Sequence, residues 1–264
     1  MRSSQQPTLI LGGGFTGLFA ALHLSHRNYP RPIILIDDAE RFVFKPLLYE
    51  YLSGEMSSDQ VCPLFSELLE HRGVTFVQGC VNNIDLTGRR VRLAEGTEYG
   101  YEYLVLGLGS TTGYFGVPGA QQNTFAFRTG EDALLLARHL RDCLQRASQT
   151  SDRAERRKLL SVAVVGGGPS GVELAATLGD LLPQWYEPLG GDPRELQIVL
   201  INHGKMLLEG DINSKLRSAA TEALASRRAP VRLQLVRRWS RCSRARWPFS
   251  PQTRINFGGW QPRP

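Results

Sequence analysis

The sequence lacks any apolar run of the ~18 residues that a membrane-spanning helix needs, so no segment reads as a transmembrane span. The apolar N-terminus runs into a Gly12-Gly13-Gly14 turn and a helix-forming stretch, which fits the start of a fold better than a signal peptide. Cysteine is scarce. Cys62, Cys80, Cys143 and Cys242 contain no CxxC pair and no metal-ligand spacing, so no metal is expected and the thiols read as buried or free in a reducing cytoplasm. Acid is missing from one region only: residues 237–264 carry seven Arg, no Lys and no Asp or Glu. Setting those seven aside leaves 24 basic residues against 25 acidic ones, a net charge of −1 for residues 1–236. The overall +6 is therefore local to one end, which argues against a nucleic-acid surface spread over the fold.

What is present is a repeated pattern. LILGGGFTGLFAAL at residues 9–22 and VAVVGGGPSGVELA at 162–175 each pass from an apolar, β-branched run through a Gly-rich turn into a helix-forming stretch. In the first, Gly12 permits the tight turn and Gly14 lets backbone approach a pyrophosphate with no Cβ in the way. Gly17 lets helix and sheet pack closely. Phosphates bound there meet free N–H groups and the positive end of the helix dipole, with Phe15 and Thr16 on the same turn. Asp37 ends the next strand, 20 residues after Gly17, and is placed to accept hydrogen bonds from an adenosine ribose. The second copy is Gly166-x-Gly168-Pro169-Ser170-Gly171 with the same roles. Its next strand ends in Asn202 where an acid is expected. An amide still bonds a hydroxyl and does not repel a 2′-phosphate, and Lys205 is close in sequence, so NADPH is expected to be accepted at least comparably with NADH. A plain turn asparagine is the alternative.

Around these turns the pattern gives strands at 7–12 and 33–37, helices over 15–27 and 62–73, and an antiparallel meander over about 74–102. YLVLGLGS at 103–110 returns to the buried sheet. A helix over 131–147, a polar connection over 148–158, and strands at 196–202 and 231–236 flanking a helix over 211–227 complete the body. FKPLLYEYLSGEM at 44–56 has no clean period and reads as a functional loop with a helical turn. The fold class is α/β, with two Rossmann-like dinucleotide-binding domains.

The residues resemble the two-dinucleotide-binding flavoproteins related to the pyridine nucleotide-disulfide oxidoreductases, and among them the type II NAD(P)H:quinone dehydrogenases. LILGGGFTGLFAAL, FKPLLYEYLSGE, YLVLGLGS, VPGA at 117–120, FRT at 127–129 and VVGGGPSGVELA carry the resemblance, which spans residues 8 to about 236. FKPLLYEYLSGE is similar to the cyanobacterial and plastid branch. The resemblance implies FAD on the first turn and at Gly109 of YLVLGLGS, and NAD(P)H on the second turn, with a quinone as acceptor. It implies that Glu173, placed in the first turn of its helix, stands beside the nicotinamide, orienting it or relaying protons. Complementing the helix dipole is the alternative. Lys45 and Pro46 fall where the family places its flavin. Lys45 either stabilises negative charge there or is a solvated loop lysine. Dithiol flavoenzymes need a cysteine pair about four residues apart, which Cys62 and Cys80 do not provide.

The resemblance further implies an FAD-binding domain over 1–115 and a partial NAD(P)H-binding domain over 116–236, the second inserted in the first. The family then completes its FAD domain and adds amphipathic helices for the membrane face and dimer. Residues 237–264 offer no such pattern. They read as an irregular, basic, disordered tail resembling GC-rich DNA translated in a shifted frame, with a membrane- or nucleic-acid-binding tail as the alternative. The expectation is a truncated or frameshifted chain, cytoplasmic or peripheral to a membrane, with a homodimer left open. It is either an active oxidoreductase or an inactive nucleotide-binding remnant.

Overall fold

Residues Thr8–Leu11 are buried along their whole length, as the middle strand of a parallel sheet covered on both faces must be. In the computed structural model, which describes residues 5–210, 212–236 and 254–256, they form the central strand of one of two compact units. The first unit falls within residues 1–44 and 57–110, the second within residues 45–56 and 111–264.

In chain order the elements are β1 (Thr8–Leu11), α1 (Phe15–His26), β2 (Ile33–Asp37), α2 (Leu48–Ser53), α3 (Ser58–Val61), α4 (Phe65–Leu68), β3 (Val74–Gln78), β4 (Val81–Asp85), β5 (Arg90–Leu93), β6 (Glu98–Gly100) and β7 (Tyr103–Leu106). There follow β8 (Phe125–Ala126), α5 (Gly130–Gln149), α6 (Arg153–Leu159), β9 (Ser161–Val165), α7 (Pro169–Tyr186), β10 (Gln197–His203), α8 (Ser214–Ala225), β11 (Val231–Val236) and β12 (Arg254–Asn256).

The first unit holds a parallel sheet in the order β3-β2-β1-β7 and an antiparallel sheet β4-β5-β6. Alternation along the strands divides its core. Ile10, Ile33 and Leu35 face Leu18 and Ala21 of α1 together with Phe65. Leu9, Leu11 and Ile36 face Val91 and Leu93 of β5. The second unit holds a sheet in the order β11-β10-β9-β12-β8. Helix α5 starts at a capping box of Thr129 and Asp132, which satisfies free N–H groups at both positions. It buries Ala133, Leu136, Ala137, Leu140 and Leu144, the apolar stripe expected of an amphipathic helix. The architecture is the α/β class with parallel sheets.

Four expectations change. The helix over 62–73 is reduced to α4, because Cys62 precedes Pro63 and is pushed out of helical conformation, and His71 and Gly73 take positive φ. The meander begins at Val81, since β3 pairs in parallel with β2. The connection over 148–158 contains α6, whose start Asp152 caps by accepting from the N–H groups of Ala154 and Glu155. Of the tail read as irregular, Arg254–Asn256 is a strand pairing with β8 and β9. The rest of 237–264 lies outside the described residues.

Candidate functional site

Both glycine-rich turns have one construction. At the first, Gly12 has φ +93° and donates its N–H to Ile36 O at 2.7 Å. A Cβ on Gly17 would overlap the Gly12 carbonyl oxygen, so only glycine lets α1 start this close to the sheet. Gly14 differs: a Cβ there meets nothing within 4 Å. Gly14 is the N-cap of α1, no side chain caps it, and the first turn carries no acid. An uncapped helix start beside open space is what a bound pyrophosphate requires. Thr16 is exposed there. Phe15 packs its ring against Phe42 and Phe44, with centroids 5.2 and 5.4 Å away. Gly109 has φ +69° and open space around it.

Asp37 joins this group through a residue the sequence pattern leaves blank. Its Oδ2 accepts from Gly13 N–H and its Oδ1 from Ala39 N–H. The carboxylate braces the turn and keeps spare lone pairs. Its burial, the dominant effect, holds its pKa above the ordinary aspartate value.

The second turn repeats this. Gly166 has φ +121°, a Cβ on Gly171 would overlap the Gly166 carbonyl oxygen, and Gly168 faces open space. Gly168 caps α7 without a side-chain bond, and Pro169 occupies the first helical position, where its fixed φ suits a helix start. Asn202 stands where Asp37 stands in the first copy. Its Oδ1 accepts from Gly167 N–H at 3.0 Å, and its Nδ2 donates to Met206 O at 2.7 Å.

Glu173 does not lie in the first turn of its helix: it is the fifth residue of α7, whose first turn has no acid. The dipole interaction fades beyond that turn, so the bland reading of this exposed carboxylate loses its basis. A neighbour that sequence reasoning passed over lies beside it. Tyr49 of α2 donates its hydroxyl to Ser170 O at 3.3 Å and lays its ring against Phe127 at 5.5 Å. Burial, followed by the adjacent Glu173 charge, raises its pKa far above the ordinary tyrosine value. Its hydroxyl therefore stays protonated. Lys45 and Pro46 belong with this second unit. The pKa of Lys45 is lowered by burial first and by nearby Arg128 second.

A family model, pyridine nucleotide-disulphide oxidoreductase, matches residues 6–238. The chain belongs to that family. Its family relatives include the chloroplastic/mitochondrial alternative NAD(P)H-ubiquinone oxidoreductase C1 of Arabidopsis thaliana, 35% identical over 85% of this chain and 43% of the relative. The demethylphylloquinone reductase of Synechocystis is 40% identical over 69% of this chain and 45% of the relative. The resemblance to the quinone-reducing branch, cyanobacterial and plastid members included, is thus borne out. The chain spans less than half the length of these relatives. NDH2 of Plasmodium falciparum, solved in complex with NADH, superimposes with a TM-score of 0.76 at 23% identity, over 88% of this chain and 48% of that one. The likeness shows the shared family fold.

Proposed function

We propose that the protein is an FAD-dependent oxidoreductase that passes a hydride from NAD(P)H to flavin and electrons on to a membrane quinone. One observation carries this: the chain has two glycine turns, each opening an uncapped helix beside open space, at Gly14 and Gly168. One dinucleotide-binding turn fits many functions. Two, in a chain whose relatives are quinone reductases, fit hydride transfer between two dinucleotides.

The first unit holds FAD and the second NAD(P)H. When bound, these groups supply the hydride donor and the redox carrier. In the first unit the N–H groups at the start of α1 hold the pyrophosphate, Asp37 accepts from the ribose, and Gly109 gives close backbone approach. In the second, residues Gly166, Gly168, Pro169, Ser170 and Gly171 hold the other pyrophosphate. Glu173 orients the nicotinamide or moves a proton at its carboxylate. Tyr49 fixes the start of α7 through Ser170 O. Lys45, beside Pro46, is a cation of the second unit, with its pKa lowered by burial and by Arg128. No described helix is long and apolar enough to cross a membrane.

The test is anaerobic. NAD(P)H should bleach the flavin band of the purified protein, and a short-chain quinone should restore it. Protein that binds FAD yet is neither bleached nor restored would sink the proposal.

A further inference from the structure

Asn202 occupies the place of the ribose-binding acid, with its amide tied to Gly167 N–H and to Met206 O. It offers no charge. The loop that follows β10 brings one to the same place. Gly204 has φ +135°, and a Cβ added there would run into the Glu209 carboxylate, with Cδ and Oε2 at 2.8 and 2.9 Å. Glu209 thus stands where a side chain at 204 would stand, two residues past Asn202 at the carboxyl end of β10. That end of a strand is where this fold class binds its nucleotides.

The placement is held by several ties. Leu208 N–H donates to Gly167 O at 2.8 Å, so the loop is bonded to the glycine turn itself. Arg217 donates from Nε to Leu207 O at 2.9 Å and from Nη2 to Leu208 O at 3.3 Å. Leu207 and Leu208 are buried. Leu208 takes φ +51°, a left-handed conformation that only an over-determined loop imposes on leucine. It turns the chain so that the Glu209 carboxylate folds back over Gly204. There Oε1 accepts from Lys205 N–H at 2.8 Å. Glu209 is exposed, and Oε2 carries no hydrogen bond to the described residues.

We infer that Glu209 is the specificity residue of the second turn: its carboxylate accepts from the adenosine ribose hydroxyls and repels a 2′-phosphate, the part Asn202 has given up. The inference rests on the reading of that turn as the NAD(P)H site. It shifts the balance away from the NADPH acceptance that Asn202 alone predicts. Lys205, whose backbone binds Glu209, is the opposing cation.

Glu209→Gln separates charge from scaffold, because the amide oxygen still accepts from Lys205 N–H. Dissociation constants for NADH and for NADPH are measured on the 264-residue protein by dihydronicotinamide fluorescence. One unit charge at about 4 Å in water corresponds to about a fivefold change in binding. The variant should therefore bind NADPH about fivefold more tightly and NADH more weakly. Adding Asn202→Asp to that variant should restore the original ratio by returning an acid to the strand end. An unchanged NADH-to-NADPH ratio in a Glu209→Gln chain that binds both nucleotides overturns the assignment of Glu209 and leaves the site intact. A native chain that binds neither nucleotide overturns the reading of the second turn itself, and this inference with it.

Discussion

Gly14 and Gly17 are three residues apart in one turn, and alanine at each should fail in a different way. Gly14 has φ −66° and ψ −169°, which any residue adopts, and an added Cβ touches nothing within 4 Å. Alanine there restricts the unfolded chain, a gain of about 0.4–1 kcal/mol. It also replaces glycine at an N-cap, a loss of about the same size. The net change in stability should stay within about 1 kcal/mol. At Gly17 the methyl overlaps the Gly12 carbonyl oxygen and lies 3.2 Å from Ile10 Cγ2. That carbonyl resists swinging away, because the peptide plane it shares with Gly13 N–H is bonded to Asp37. Helix α1 must move, at a cost near or above the upper end of the overpacking range, ~3 kcal/mol. A domain has only about 5–15 kcal/mol to lose. The assay pairs urea unfolding, followed by circular dichroism, with flavin content from visible absorbance. Gly14→Ala, and Gly14→Val more strongly, should leave the unfolding midpoint near native while lowering FAD occupancy. Gly17→Ala should lower the midpoint itself. If Gly14→Ala costs as much stability as Gly17→Ala, or keeps full flavin, then the open space at Gly14 is not where a ligand lies.

Three further outcomes are expected. Tyr49→Phe keeps the ring on Phe127 but loses the bond to Ser170 O; it should cost about 0.5–1.5 kcal/mol in urea unfolding, and no measurable loss would show that the hydroxyl is not holding α7. Glu173→Gln should slow anaerobic flavin bleaching by about tenfold or more with flavin content unchanged, and an unaltered rate would remove Glu173 from the chemistry. Asp37 is governed by burial, which raises its folded pKa. The charged form therefore costs stability at neutral pH, and that cost is released as pH falls through the folded value. The native chain should gain stability relative to Asp37→Asn on acidification through the range just above the ordinary aspartate value. A stability difference that stays flat across that range contradicts the raised pKa.

The sequence pattern is informative where a residue's role follows from its immediate neighbours. Gly12, Gly17, Gly166 and Gly171 are legible because strand, turn and helix are contiguous, and the steric demand falls inside one short segment. The parallel strands are legible for the same reason, as continuous apolar runs. Helix α6 has its signal at Asp152 and Glu155, but RAERRK shows no apolar face and reads as a connection. Helix α4 already ends at Leu68, and His71 beyond it enters a left-handed conformation, neither of which apolar spacing announces. Tyr49 lies inside a telling segment, but its partners Phe127 and Ser170 are far along the chain. Glu209 is least legible of all. Its position depends on a loop folding back through Leu208, and nothing in LLEGD marks that return.

The bracing bonds from Asp37 to Gly13 and from Asn202 to Gly167 have an evolutionary consequence. A residue that braces a turn in this way is not free to drift, because most replacements would loosen the strand end. Asparagine is the exception. It keeps the acceptor oxygen that receives the glycine N–H, discards the charge, and is a single-base neighbour of aspartate in the genetic code. A lineage can therefore change the electrostatics at the strand end without passing through an unstable intermediate. Ligand preference is then free to migrate to whichever nearby loop side chain next reaches the spot.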